Sequence, residues 1–119
     1  LISNGAWQVF SFGPAVVKNG VRVSSVNDGI KRNAVNNPRT AFGWISDHRY
    51  MFVVVDGRTT ESIGVDIEEL GDVMVMLGTT IAYNFDGGGS STMYFKDRLI
   101  NVPSQGKERG VGDCVYIIG

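Results

Sequence analysis

Three consecutive glycines in the run Asp86-Gly87-Gly88-Gly89-Ser90-Ser91 constrain this chain more than any other feature. Glycine has no side chain to bury. Three together suit a backbone that needs unusual dihedrals, or one that lies directly under a ligand. The flanks, Tyr83-Asn84-Phe85 and Thr92-Met93-Tyr94-Phe95, favour extended structure, so residues 83–95 read as strand, tight glycine turn, strand. A plain hairpin needs only one or two glycines. The extra ones, with Asp86 and two hydroxyls at the end of a buried strand, point to a functional turn.

Around this turn the chain reads as one α+β domain: a mixed, largely antiparallel sheet with one main helix. Its 119 residues fit one core, and its 16 glycines cluster at putative turns between short strands. Residues 15–18 and 21–23 are strand-like, and Asn19-Gly20 between them signals a hairpin. Residues 39–45 form the next strand. The run Tyr50-Met51-Phe52-Val53-Val54-Val55 is apolar throughout, as expected of a central strand covered on both faces. The helix spans 66–77. Asp66 and Glu69 have capping-box spacing, Ile67, Leu70, Val73, Met74 and Leu77 keep helical period, and Gly78 ends it. Residues 24–37 read as a loop, 81–85 and 92–95 as strands, and 111–118 as a closing strand that buries Cys114 as an inert thiol. Met74, Met76 and Met93 read as core filler.

Charge and motif absences narrow the chemistry. A formal net charge of -1 gives no bulk attraction to nucleic acid or an anionic membrane, and no apolar stretch is long enough to span a bilayer. No dinucleotide or nucleotide-phosphate glycine fingerprint is present. His48 is the lone histidine and falls in a turn, which disfavours a Ser90 or Ser91 triad and a zinc site. No cofactor is expected, although Asp86 and Asp56 leave a divalent cation open.

Polar clusters recur at strand ends: Asn37-Pro38-Arg39-Thr40, Asp56-Gly57-Arg58, the glycine turn, and Lys107-Glu108-Arg109 before the last predicted strand. Arginine presents a planar fork of donors suited to phosphate or carboxylate. Backbone N–H groups of a glycine turn also bind anions. Such donors beside two carboxyl groups suit cleavage of an anionic glycosidic or phosphate ester. Taken singly, Asp56-Gly57-Arg58 is an ordinary turn, and Arg39 or Arg109 an ordinary surface ion pair.

These motifs, in order and with Phe10-Ser11-Phe12-Gly13-Pro14 ahead of them, resemble the phosphodiester glycosidase family. That family includes the uncovering enzyme, N-acetylglucosamine-1-phosphodiester α-N-acetylglucosaminidase, and bacterial and phage relatives connected with exopolysaccharide. The resemblance implies hydrolysis of a sugar-1-phosphate diester, a glycan or sugar-phosphate partner, and a secreted or cell-envelope location. It also implies a site lined by Arg39, Thr40, Asp56, Arg58, Asp86, Gly88, Gly89, Ser90, Glu108 and Arg109. Asp86 and Glu108 are the acid/base or nucleophile candidates, since glycosidic cleavage generally uses two carboxyl groups. Asp56 is a further catalytic candidate, suited to orienting an arginine or a sugar hydroxyl. Family domains usually begin upstream with an Asn-Gly-Gly-Phe-type segment that this chain lacks. The expectation is an incomplete, C-terminal part of a larger domain, completed by a missing N-terminal segment or a second chain. The alternative function is a non-catalytic carbohydrate- or phosphate-binding module, or a structural domain, on the same scaffold.

Overall fold

The computed structural model describes residues 2–6, 8–23 and 34–118. Most of the loop predicted over 24–37 lies outside these residues. The architecture is α+β: a five-stranded sheet, one α-helix and a separate two-stranded hairpin. Strands β1 (Ala15–Lys18), β2 (Val21–Arg22), β3 (Arg39–Ser46), β4 (Arg49–Val55) and β5 (Ile81–Asn84) lie in the order β2-β1-β5-β3-β4. Every pairing in this sheet is antiparallel. Asn19 and Gly20 both take positive φ, 54° and 74°, the backbone of the hairpin turn that Asn-Gly favours.

The helix α1 (Ile67–Met76) forms because both ends are chemically closed. At its start the Asp66 carboxylate accepts the Glu69 N–H at 2.8 Å, and the Glu69 carboxylate accepts the Asp66 N–H at 3.0 Å. At its end Gly78 takes φ 84°, its N–H donates to the Val75 carbonyl, and the Thr79 N–H donates to the Met74 carbonyl. That paired pattern satisfies carbonyls the last turn would leave orphaned. Ile67, Leu70 and Met74 point to the sheet and are fully buried. Each stabilises the fold by about 1.5–3 kcal/mol through burial. They meet Val16, Val17, Ala41 and Ala82. Val16 and Val17 are adjacent yet both buried, because β1 shifts register against β5 between Ala15 and Val17.

Several expectations are corrected. β4 lies at the edge of the sheet's strand order, not its centre. Its continuous apolar run serves two faces. Val53 and Val55 pack on the helix-side core, while Phe52 and Tyr50 join Phe42 in an aromatic cluster opposite. The glycine turn is not a hairpin loop. After β5 the chain makes a short 3-10 turn at Gly88–Ser90, and β6 (Tyr94–Phe95) pairs with β7 (Arg98–Leu99) instead of with β5. The predicted closing strand over 111–118 is not extended into any ladder, and its side chains, Cys114 included, are exposed. Apolar, β-branched composition favours a strand, but a strand exists only through a paired edge. Met74 is core, whereas Met76, on the opposite face of α1, is 79% exposed.

Candidate active site

The glycine turn is held against the start of β3 by backbone contact. The Gly88 N–H donates to the Pro38 carbonyl at 2.9 Å, and a Cβ on Gly87 would lie 2.5 Å from that same oxygen. From the other side, a Cβ on Gly57 would lie 2.7 Å from the Pro38 nitrogen. Pro38 therefore sits in a bed that only glycine can line, and Gly57 has a packing reason beyond turn chemistry. The Phe85 N–H donates to the Thr40 carbonyl, and the Thr40 hydroxyl donates to the buried Ser91 hydroxyl at 3.2 Å. These bonds fix both ends of the Asp86–Ser91 segment.

Two guanidinium groups lie along the turn. Arg58 sits over Gly88, where a Cβ would be 3.4 Å from both of its terminal nitrogens. Arg109 lies along Gly89, where a Cβ would be 3.6 Å from its Cδ. Arg58 donates from Nε and Nη2 to Asn37 Oδ1 at 3.1 and 2.6 Å. Its backbone takes φ 58°, a left-handed conformation that costs a non-glycine residue about 1–2 kcal/mol. Strain of this kind concentrates at functional sites. Arg109 Nη2 donates to Asp86 Oδ2 at 3.1 Å and to the Ser90 hydroxyl. Asp86 Oδ1 accepts the Gly87 N–H at 2.9 Å. The Asp86–Arg109 pair is open to water, with side chains 55% and 58% exposed. A pair that only neutralised buried charge would be closed off.

Glu108 enters through a partner outside the four polar clusters: its carboxylate accepts the Tyr94 hydroxyl at 2.8 Å. That hydrogen bond, with smaller contributions from desolvation and from the Glu108 charge, raises the Tyr94 phenol above its ordinary value. The structure thus brings Asp86, Gly89, Ser90 and Arg109 into direct contact, sets Arg58 over Gly88, and attaches Thr40 and Glu108 at the margins. Arg39 and Asp56 are turned elsewhere. Arg39 is buried, and donates from Nε to the Val65 carbonyl at 3.0 Å and from Nη2 to the Val35 carbonyl at 2.8 Å. Burial pulls its guanidinium below the ordinary value, opposed by the charge of Asp66 and assisted by that of Arg58. Asp56 accepts from the Asn101 amide and the Val102 N–H and contacts no arginine among the described residues. Among the described residues no three His, Cys, Asp or Glu side chains converge as metal ligands. No helix among them is long and apolar enough to cross a membrane.

Asn37, Tyr94 and Asn101 carry contacts at this site that the sequence did not announce as functional. Asn37 stands inside a recognised cluster, and its side-chain acceptor is the available signal. The other two have no local signature, because their partners lie on other segments.

The family model for phosphodiester glycosidase matches residues 1–118. The chain belongs to the phosphodiester glycosidase family. The SPbeta prophage-derived uncharacterized protein YomE of Bacillus subtilis strain 168 is 36% identical over 118 residues, covering 98% of this chain and 18% of the relative. The chain therefore spans about a fifth of that relative's length. Among solved structures, a Burkholderia pseudomallei protein whose name suggests export is 44% identical over 58% of this chain and 13% of its own, with a TM-score of 0.56. The catalytic domain of zebrafish N-acetylglucosamine-1-phosphodiester α-N-acetylglucosaminidase aligns with a TM-score of 0.63 at 22% identity, over 76% of this chain and 33% of its own. At that identity the likeness speaks for the fold of the phosphodiester glycosidase domain.

Proposed function

We propose that this segment carries the phosphate-binding and acid/base groups of a hydrolase that cleaves the C1–O bond of a sugar-1-phosphate diester in an envelope or extracellular glycan. One observation carries the reading: two guanidiniums lie against consecutive glycines, and each keeps donors to spare. Arg58 uses Nε and Nη2, so Nη1 has no partner among the described residues. Arg109 uses only Nη2, so Nε and Nη1 have none among them. A phosphodiester monoanion is matched by such fixed, planar donors more closely than by a mobile ammonium.

The chemistry follows from the leaving group. Cleavage at C1 expels a phosphate monoester, whose charge the two arginines offset as it develops. Little protonation of the leaving oxygen is then needed. Asp86, beside the anomeric end of such a substrate, and Glu108 are free for the remaining work of attacking or activating water and steadying an oxocarbenium-like centre. Ser90 and the bare backbone of Gly88 and Gly89 let the phosphate approach closely. Arg39 and Asp56 support this arrangement from behind. The export suggested by the name of the Burkholderia relative fits a substrate outside the cytoplasm.

The test uses the full-length protein and an N-acetylglucosamine-1-phosphate diester. Asp86→Asn removes the charge while keeping the shape, and turnover should fall about a hundredfold or more. Wild-type turnover in that variant would remove Asp86 from the chemistry. Diester binding with no turnover in the wild type would instead indicate a binding module.

A further inference from the structure

Asn101 follows β7 and belongs to none of the polar clusters, yet its carboxamide joins three separate segments. Its Oδ1 accepts the Met93 N–H at 2.8 Å. Its Nδ2 donates to the Ser91 carbonyl at 3.0 Å and to Asp56 Oδ1 at 3.1 Å. The neighbouring Val102 N–H donates to both Asp56 oxygens, at 3.0 and 3.1 Å. The end of β4, the segment leaving the glycine turn and the chain running toward Glu108 and Arg109 therefore meet at one side chain. Only an amide can serve here, because one atom must accept while the other donates twice.

Beyond this point the chain has little to guide it. Residues 103–110 form no strand or helix, and their one backbone bond to another described residue is local, from Gly106 to the Pro103 carbonyl. The loop nevertheless delivers Glu108 to Tyr94 and Arg109 to Asp86 and Ser90. Its departure point has to be fixed relative to the glycine turn, and the contacts of Asn101, Val102 and Ile100 supply that registration.

We infer that Asn101 is a positioning residue: through Asp56, Ser91 and Met93 it sets the register in which Glu108 and Arg109 meet Asp86 and Ser90. The inference rests on the reading of that site as a phosphodiester glycosidase centre. It also gives the Asp56 carboxylate a task as Asn101's counterpart, away from the reacting atoms.

Four variants of the full-length protein test it: Asn101→Ala, Asn101→Asp, Asp56→Asn, and the exchange Asp56→Asn/Asn101→Asp. Asn101→Asp sets two carboxylates face to face and removes both donated bonds. The exchange restores a donor facing an acceptor, keeps the acceptor for the Met93 N–H and one of the two for the Val102 N–H, and leaves the Ser91 carbonyl facing a carboxylate oxygen in place of its donor. Each single variant should lose about tenfold to a hundredfold in kcat, the scale set by sub-ångström to ångström misplacement. KM should rise too, by less than about the tenfold to a hundredfold expected for losing Arg109 outright, because Arg109 is displaced rather than removed and Arg58 stays anchored by Asn37. The exchange should recover part of the kcat lost in Asn101→Asp. Amide hydrogen exchange should show lost protection at Met93 and Val102 in Asn101→Ala, with Ala41 and Ala82 unchanged.

Unchanged protection at Met93 and Val102, unchanged kcat in the single variants, or an exchange variant no better than the worse single one would each overturn the inference. A wild type that turns over no sugar-phosphate diester would overturn the functional reading instead. The hydrogen-exchange pattern would still decide whether Asn101 locks these segments together.

Discussion

Alanine placed in turn at Gly87, Gly88 and Gly89 should give three different results, because each position meets a different neighbour. At Gly87 a Cβ would lie 2.5 Å from the Pro38 carbonyl oxygen, a backbone atom that cannot swing away. The turn must retreat by roughly 1 Å to reach ordinary contact, stretching the Gly88-to-Pro38 hydrogen bond. Overpacking costs about 1–3 kcal/mol, and the weakened bond about 1 kcal/mol more, giving a loss of about 2–4 kcal/mol. At Gly88 the penalty is conformational. Its φ of 60° costs alanine about 1–2 kcal/mol, and the 3.4 Å approach to Arg58 is relieved by moving that flexible end. At Gly89 φ is not left-handed, and a Cβ would meet Arg109 Cδ at 3.6 Å, an ordinary contact. Its change in stability should stay within about 0.5 kcal/mol. Urea denaturation of the full-length protein reads this order. With a slope of about 2 kcal/mol per molar, Gly87→Ala should unfold about 1–2 M earlier than wild type, Gly88→Ala about 0.5–1 M earlier, and Gly89→Ala alongside it. Equal midpoints for Gly87→Ala and Gly89→Ala would refute the backbone-packing account and return the block to a flexible loop.

Other outcomes follow from single contacts. Arg58→Ala and Arg109→Ala should each raise KM for a sugar-1-phosphate diester by about tenfold to a hundredfold, the loss of a charge-assisted bond of about 1.5–3 kcal/mol, and a KM unchanged in both would contradict the phosphate role. Asp66→Ala removes the carboxylate that accepts the Glu69 N–H at the start of α1, leaving the Asp66 N–H to the Glu69 carboxylate, and should cost about 1 kcal/mol in urea denaturation. The Tyr94 phenol should titrate above its ordinary value of 10.0, and Glu108→Gln should bring it down, as followed by NMR of labelled tyrosine. Because the folded-state value is raised, what this bond adds to stability is fully present below about pH 10 and is lost as pH rises through the higher folded value. An unshifted Tyr94 would mean that Glu108 does not sit on the phenol.

What the sequence made legible was local. The capping box at Asp66 and Glu69, the Gly78 stop and the Asn19-Gly20 turn each close within a few residues, so composition and spacing suffice. The glycine block was legible as unusual, but its geometry was not. Its partner is Pro38, which a hairpin reading cannot supply. The apolar runs of β4 and of residues 111–118 look alike in sequence, yet one gained a paired edge and the other did not. Arg39 and Arg58 also look alike, near a turn and a strand end. Burial turns the first toward backbone carbonyls, while the second stays exposed over Gly88. Asn101 was illegible because all its meaning lies in partners on two other segments.

A crystal structure of the full-length protein with a bound N-acetylglucosamine-1-phosphate diester analogue would probe the whole scheme at once. The phosphate should sit against Gly88 and Gly89, with oxygens about 2.7–3.2 Å from Arg58 Nη1 and from Arg109, and with the anomeric carbon toward Asp86. A phosphate bound away from both guanidiniums, or a sugar whose anomeric carbon faces away from Asp86 and Glu108, would contradict it.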